Sequence, residues 1–244
     1  MAEHSAKIIG SPSDIARALI TNEAWVNFIW NNYEKCLAAL KDGLAAAREA
    51  DDQILEGMAL RLMAQVAKER NNLVEAKKLL LEALNLFKNP GSGKVSDDYQ
   101  LAITYGTWGS LNRDLQNFSE AESSTREALC IASGLKNAEE LQVVQCQKLT
   151  KLLTVLKRLP EAEDFHKQSE NILAQLRPQL GFAYGKLNLA RIAEHRKDYQ
   201  KALEYAKEAE TLFVQFGDRR EIATDLQRIQ EKAAKTKPNI AAPK

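Results

Sequence analysis

The chain has 244 residues, of which 45% are hydrophobic and 27% are charged, so it is long and apolar enough to bury a core. Its 34 basic and 33 acidic residues give a net charge of +1, without the basic excess typical of proteins that bind nucleic acid through phosphates. Pro (6) and Gly (11) are scarce, while Ala, Leu, Glu, Lys and Gln, which lose least on entering a helix, are abundant. This composition favours an all-α protein and argues against a nucleic-acid partner.

The cysteines Cys36, Cys130 and Cys146 stand far apart and are odd in number, which favours neither a disulfide framework nor a zinc site. No apolar stretch has the length of a signal peptide or of a membrane span. We therefore expect reduced thiols, no membrane insertion and a cytoplasmic location, and no cofactor is implied.

The first helix signal lies at Ser11-Pro12, where Ser11 is expected to cap a helix with Pro12 at its first position. Residues 12–21 are predicted to form a short capping helix after an N-terminal tail, so that residues 1–21 precede the main body. The next segment carries the aromatic and apolar cluster Trp25, Phe28, Ile29 and Trp30. It is interpreted either as core beneath the end helix or as an exposed anchor for a partner or a second copy of the chain.

Five segments of the chain can then be aligned, at 31–47, 71–87, 116–132, 157–173 and 197–213. Each opens with two polar residues and a large apolar residue, followed after three residues by a small one and after seven more by another, mostly small, residue. The first small residues are Cys36, Ala76, Ala121, Ala162 and Ala202, at spacings of 40, 45, 41 and 40. Positions seven apart share a helix face, where a neighbouring helix can approach closely.

A second helical pattern precedes each of the later segments. A large residue followed at once by a small one recurs as Met63-Ala64, Trp108-Gly109 and Leu189-Ala190, and Trp108 is expected to lie in the core. The repeating unit is therefore predicted to be a helix A, a short turn and a helix B.

This pattern resembles the tetratricopeptide repeat, in which helix A carries a large–small pair and helix B carries matching small residues. Units near 40 residues are similar to the long variant found in kinesin light chains and bacterial Rap-type regulators. Thr150, at a position that is usually small, and an atypical helix A in the first unit depart from the pattern. The resemblance implies an all-α superhelix (solenoid) of about five helix hairpins at residues 22–216, with terminal capping helices.

Two further segments complete the predicted layout. Residues 88–98 contain Pro90, Gly91, Ser92 and Gly93 and are interpreted as a loop, either a tolerated insertion or a regulatory contact. Residues 217–235 are predicted to form a C-terminal capping helix, and residues 236–244 a disordered tail.

Catalytic motifs are not found in the sequence, and we expect no enzymatic activity. His166 and His195 lie in different predicted helices; we expect His166 to pack or to face solvent and His195 to lie on the surface. Cys130 and Cys146 are expected to pack within helices rather than to act as nucleophiles.

In such a repeat array, the resemblance implies that the helices A line a concave groove. Applied to this chain, it selects ten candidates for peptide contact, six of them basic: Arg61, Gln65, Lys68, Ser110, Arg113, Lys148, Lys151, Tyr184, Asn188 and Arg191. Basic side chains at these positions could hold carboxylates by charge-assisted hydrogen bonds. The alternative is a merely solvated helix face.

Four functions are weighed on this basis. The favoured one is a protein–protein interaction scaffold or adaptor that binds a peptide or partner segment, which could be acidic, in the groove. A Rap-like peptide-sensing regulator acting by conformational change is the alternative. An enzyme subunit and an RNA-binding repeat protein are disfavoured. A homodimer through the N-terminal aromatic patch is left open.

Overall fold

The structure is a computed structural model that describes residues 11–91, 97–176, 180–215 and 222–236. Within these ranges the chain forms helices and turns and no β-strand, and no helix is both long and apolar enough to cross a membrane. The predicted tails at 1–10 and 237–244, residues 92–96 of the predicted loop and residues 217–221 lie outside the described residues. The helical elements are α1 (Pro12–Ala18), a π-helical segment (Leu19–Ala24), α2 (Trp25–Ile29), α3 (Tyr33–Glu49), α4 (Gln53–Glu69), α5 (Leu73–Lys88), α6 (Asp98–Asp114), α7 (Phe118–Gly134), α8 (Glu139–Val155), α9 (Leu159–Leu173), α10 (Leu180–His195), α11 (Tyr199–Gln215) and α12 (Ile222–Thr236).

The first helix begins as the sequence predicts. Ser11 accepts a hydrogen bond from the Asp14 backbone, and the Asp14 carboxylate accepts one from the backbone N–H of Ser11, which completes a capping box. The predicted capping helix and the first helix A are not separate, because α1, the π-helical segment and α2 follow one another without interruption. No Pro or Gly lies between residues 15 and 29 to end the helix.

Several turns between consecutive helices use one residue in the left-handed conformation. At Asp51, Asn71 and Lys157, φ lies between 53° and 61°. Around Asp51 the N–H of Asp52 donates to the Ala47 carbonyl at 2.9 Å, so the free carbonyls of the helix end are satisfied. The same Asp52 then caps α4 by accepting from the backbone N–H of Leu55. One polar pair therefore ends one helix and starts the next.

The chain divides into two compact units, residues 1–131 and 132–244. In the first unit, α3 packs against the helical run of α1 and the π-helical segment, α4 pairs with α5, and α6 packs against both α4 and α5. In the second unit, α8 pairs with α9, α10 pairs with α11 and also contacts α8 and α9, and α12 packs against α11 and α10. Within each unit, helix pairs therefore stack in the order of the chain.

The small residues that define the repeat lie at these helix interfaces. Cys36, Ala76, Ala121, Ala162 and Ala202 are all fully buried, as the pattern predicts. Thr150, the departure from the pattern, is also fully buried. Its hydroxyl donates to the Cys146 carbonyl at 2.9 Å, which satisfies the polar atom inside the core.

The large–small pair of α6 shows why a glycine follows Trp108. A Cβ atom at Gly109 would collide with the Thr125 hydroxyl of α7 and lie 3.0 Å from the Ala121 carbonyl. Trp108 itself is buried, as expected for a core residue, and its indole N–H donates to the Glu120 carboxylate at 2.9 Å. The glycine thus permits the backbones of α6 and α7 to approach closely.

Candidate ligand-binding surface

The predicted contact residues of the first unit lie on one side of α4 and α6, which we call the helix A face of unit 1. Arg61, Gln65 and Lys68 follow one another at i, i+4 and i+7 on α4, so they share a side of that helix, and all three are half-buried. The guanidinium of Arg61 donates to the Gln100 side chain of α6 at 3.2 Å. Burial lowers the pKa of Arg61 to about 10, which leaves it charged at neutral pH. This face therefore contributes to the contact between successive helices A.

Two other cations of this face share one carboxylate. Lys68 Nζ lies 3.1 Å from Asp114 Oδ2, and Arg113 Nη2 lies 2.7 Å from Asp114 Oδ1. Burial raises the pKa of Asp114, but Arg113 and Lys68 outweigh it and hold that pKa below its ordinary value. Ser110, one turn before Arg113, donates its hydroxyl to the Gly106 carbonyl at 3.0 Å. The structure thus brings Lys68 and Arg113 together around the carboxylate of Asp114.

In the second unit, α8 and α10 carry the equivalent helix A face of unit 2. Lys148 and Lys151 are half-buried on α8, and each takes part in an interaction within the chain. Asn188 on α10 is buried, and its amide donates to the Gln147 carbonyl of α8 at 3.4 Å. Its side-chain oxygen accepts from Arg191 at 3.4 Å. Asn188 and Arg191 are therefore grouped, with Asn188 engaged in joining two helices.

Tyr184 is placed differently from the other candidates. Its ring meets Phe213 of α11 edge-on, with 5.0 Å between ring centroids, and packs against the core of the α10–α11 pair. The aromatic edge-to-face contact stabilises that core.

An ion-pair network between α10 and α12 was not predicted from the sequence. Arg191 pairs with Asp225 at 2.6 Å, and Arg228 pairs with Asp225 at 2.5 Å and with Glu194 at 2.8 Å. Lys232 also reaches Glu194, at 2.8 Å. Although burial raises the pKa of Glu194, hydrogen bonds and charge from Arg228 and Lys232 lower it to about 2. The spacing 225, 228 and 232 puts all three residues of α12 on one side of that helix, which was the available signal.

In the N-terminal aromatic cluster, some side chains are exposed, as an anchor for a partner would be, and one packs against the core. Trp25 and Trp30 are 46% and 73% exposed, and Ile29 is also exposed. Phe28 is half-buried against the core of the first unit, with its ring stacked 5.9 Å from that of Trp25. Most of the cluster therefore faces outward from α2.

The histidines and cysteines considered in the sequence differ in how far they are buried. His166 is buried, which excludes the solvated alternative, whereas His195 is exposed as expected. Cys146 is buried, and burial raises the pKa of its thiol to about 12, so it is a protonated core residue. Cys130 is exposed, contrary to the expected packing role.

The sequence matches no family model, and none of the curated proteins compared with it matches significantly. Solved structures do match, although their sequences are only 13–16% identical. BtubC (BKLC) from P. vanneervenii has a TM-score of 0.59 and 16% identity over 87% of this chain and 95% of that chain. A Rap protein complexed with competence and sporulation factor has a TM-score of 0.68 and 15% identity over 93% of this chain and 66% of that chain.

A third structure, the kinesin light chain nearly identical TPR-like repeats from Podosopora anserina, has a TM-score of 0.61. It is 13% identical over 86% of this chain and 99% of that chain. At such identities the likeness concerns the fold. The helix pairs of each unit and these structural neighbours together show that the chain has the all-α fold of tetratricopeptide-repeat proteins.

Proposed function

We propose that this chain is a non-enzymatic protein–protein interaction scaffold whose helix A faces bind a peptide or partner segment. The observation that carries the proposal is the regular placement of half-buried polar and basic side chains on these faces, at Arg61, Lys68 and Arg113 in unit 1 and at Lys148 and Lys151 in unit 2. Half-buried side chains held by neighbouring helices lose little rotamer entropy on binding. The tetratricopeptide-repeat fold supports this general role.

An acidic segment is the partner that these faces favour. On the helix A face of unit 1, Lys68 Nζ lies 3.1 Å from Asp114 and 3.8 Å from Glu69, and Arg113 also pairs with Asp114. With Arg61, three cations face two carboxylates, so one positive charge is in excess. Carboxylates of a bound segment can accept charge-assisted hydrogen bonds from such cations. Their field also raises the rate of encounter with an acidic chain.

Charge reversal on the two faces tests the proposal. Arg113→Glu in unit 1 and Lys151→Glu in unit 2 are expected to abolish capture of the partner from a lysate, scored by the identity and amount of the proteins retained. Lys77→Glu on α5 and Lys207→Glu on α11 are matched controls, because both lysines are exposed on helices B. The controls should retain the same proteins as the unaltered chain.

Equal capture by the two sets of variants would contradict the proposal. The partner would then bind at another surface, either the exposed patch at Trp25 and Trp30 or the helices B. Loss of capture by all four variants would indicate attraction to the net charge rather than to the helix A faces.

A peptide-sensing regulator of the Rap-like type is the second candidate. It is favoured by the similarity to the Rap protein complexed with competence and sporulation factor, which matches 93% of this chain. In a regulator of this type, the peptide shifts the population of two conformations. Small-angle scattering would then show a change in radius of gyration when the captured segment is added as a synthetic peptide, whereas a scaffold would show no change.

A further inference from the structure

An open cavity of about 350 Å³ lies in the second unit among three helices. α8 supplies Lys151, Thr154 and Val155, α10 supplies Arg191, Glu194 and His195, and α12 supplies Asp225, Arg228 and Lys232. The volume is at the lower end of the range found for ligand sites, roughly 300–1,000 Å³. The predicted capping helix therefore contributes a third of the wall of a cavity as well as covering the end of the repeat.

The charged groups of this wall are unbalanced. It contains four permanent cations, Lys151, Arg191, Arg228 and Lys232, and two carboxylates, Glu194 and Asp225, which leaves an excess of two positive charges. Both carboxylates are already engaged. Glu194 accepts from Arg228 and Lys232, and Asp225 accepts from Arg191 and Arg228.

This arrangement holds the cations in place before a ligand arrives. Arg228 is fixed by paired bonds of 2.9 and 2.8 Å to the buried carboxylate of Glu194. Lys232 is bound to the same carboxylate at 2.8 Å. Because the carboxylate oxygens of Glu194 and Asp225 are occupied, an incoming cation would meet net repulsion, whereas an anion would meet prearranged donors.

We infer that this cavity binds the carboxylates of an acidic peptide segment, with Lys151 of α8 and Lys232 of α12 as the principal contacts. The inference rests on the proposed function and deepens it, because it assigns the acidic anchor to the junction of α8, α10 and α12. Glu194 and Asp225 act as positioning residues that hold Arg228 and Lys232.

The test uses the full chain and a fluorescein-labelled hexaglutamate peptide, with labelled hexaglutamine as the uncharged probe of equal length. Fluorescence anisotropy should show binding of hexaglutamate that weakens with added salt, and no binding of hexaglutamine. Lys151→Gln and Lys232→Gln should each weaken hexaglutamate binding roughly tenfold, as expected for loss of one charge-assisted hydrogen bond. Lys235→Gln is the matched control, because it removes the same charge from α12 at an exposed position outside the cavity.

Circular dichroism of each variant checks that the helix content, including that of α12, is unchanged. Because Lys151 lies on α8, the effect of Lys151→Gln on hexaglutamate binding is independent of any change in α12. Equal weakening by Lys235→Gln would overturn the inference, since it would show attraction to α12 as a whole. Loss of binding only on Arg113→Glu would also overturn it, while leaving the proposed function intact. Absence of hexaglutamate binding would overturn it as well, and capture from the lysate would still test the proposed function separately.

Discussion

At the scale of single residues, the interfaces between helices are controlled by the size and bonding of a few side chains. Gly57 faces the Phe87 ring, and a Cβ atom there would lie 2.5 Å from it. Thr125 and Thr150 are buried, and each hydroxyl donates to the carbonyl four residues earlier. Small side chains therefore let helices pack closely, and the two buried threonine hydroxyls are satisfied within their own helices.

Gly109 and Gly185 offer a matched comparison of this effect. Gly109→Ala is expected to lower the free energy of unfolding by about 1–3 kcal/mol, because the added methyl group would collide with Thr125 and approach the Ala121 carbonyl. Gly185→Ala should raise it by about 0.5–1 kcal/mol, since its Cβ would lie 3.7 Å from the nearest side chain and alanine favours a helix. Urea denaturation followed by circular dichroism measures both, and a change of the same sign in the two variants would contradict the packing account.

His166 should make the second unit sensitive to mild acid. Its pKa is lowered from 6.5, chiefly by burial, although Glu170 at 3.4 Å and Glu163 oppose this shift. The folded chain thus holds His166 neutral while the unfolded chain binds a proton near pH 6.5. Stability is full above that pH and falls as the pH drops below it, by at most about 1.4 kcal/mol per pH unit.

Urea unfolding at pH 7.5 and 5.5 measures this loss. In the His166→Leu variant, the difference in unfolding free energy between the two pH values should be smaller than in the unaltered chain. Equal differences in the two proteins would show that His166 does not contribute.

At the scale of elements, α12 joins the second unit through two different faces. Ile222, Leu226 and Ile229 are buried in the same core as α10 and α11. The adjacent side of α12 forms the ion pairs to Glu194 and Arg191. Apolar burial supplies most of the binding energy, and the ion pairs fix the position of α12 along α10.

Glu194→Gln should loosen α12 selectively. The substitution removes one charged partner from each of Arg228 and Lys232, and we expect a local loss of about 1–2 kcal/mol, seen as faster amide hydrogen exchange in α12. Exchange in α4 and α5 should not change. Because the pKa of Glu194 is about 2 when folded against 4.5 ordinarily, its contribution is present above pH 4.5 and is lost as the pH falls from there toward 2.

Glu210→Gln is the control, since Glu210 is exposed on α11. Similar exchange in α12 of both variants would argue against the network as the element that holds this helix.

At the scale of the whole molecule, each unit is built from contacts between consecutive helices. α4 contacts α3, α5 and α6 in the first unit, and α10 contacts α8, α9, α11 and α12 in the second. Stability in such a chain is approximately a sum of hairpin and nearest-neighbour contributions. Loss of a helix at one end should therefore lower the stability mainly of the helices that contact it.

Truncation after Gln215 tests this locality. Loss of α12 would expose the surface that covers Ile222, Leu226 and Ile229 and should cost the second unit about 3–6 kcal/mol of local stability. Amide exchange in α10 and α11 should accelerate, while exchange in α4 and α5 stays the same. A chain ending at Thr236 keeps all of α12 and is the control; uniform acceleration throughout the truncated chain would refute nearest-neighbour stability.

The repeat of small residues at intervals of 40 to 45 was sufficient to predict the helix pairs, the buried positions of Cys36 and Ala202 and the core position of Trp108. Ser11 as a helix cap was equally predictable, because capping depends on residues three apart. These features follow from local spacing: helical periodicity decides which side chains share a face, and small residues decide where helices can meet.

Only the tertiary structure decided which groups the polar and aromatic side chains outside the repeat pattern contact. It turned Tyr184 toward Phe213, left Trp25 and Trp30 exposed, and joined Glu194 to Arg228, which lies 34 residues further along the chain. The physical reason is that a polar or aromatic side chain on a helix has the same local signal whether it meets solvent, a ligand or another helix. Which of these it meets depends on the neighbours that folding brings to it.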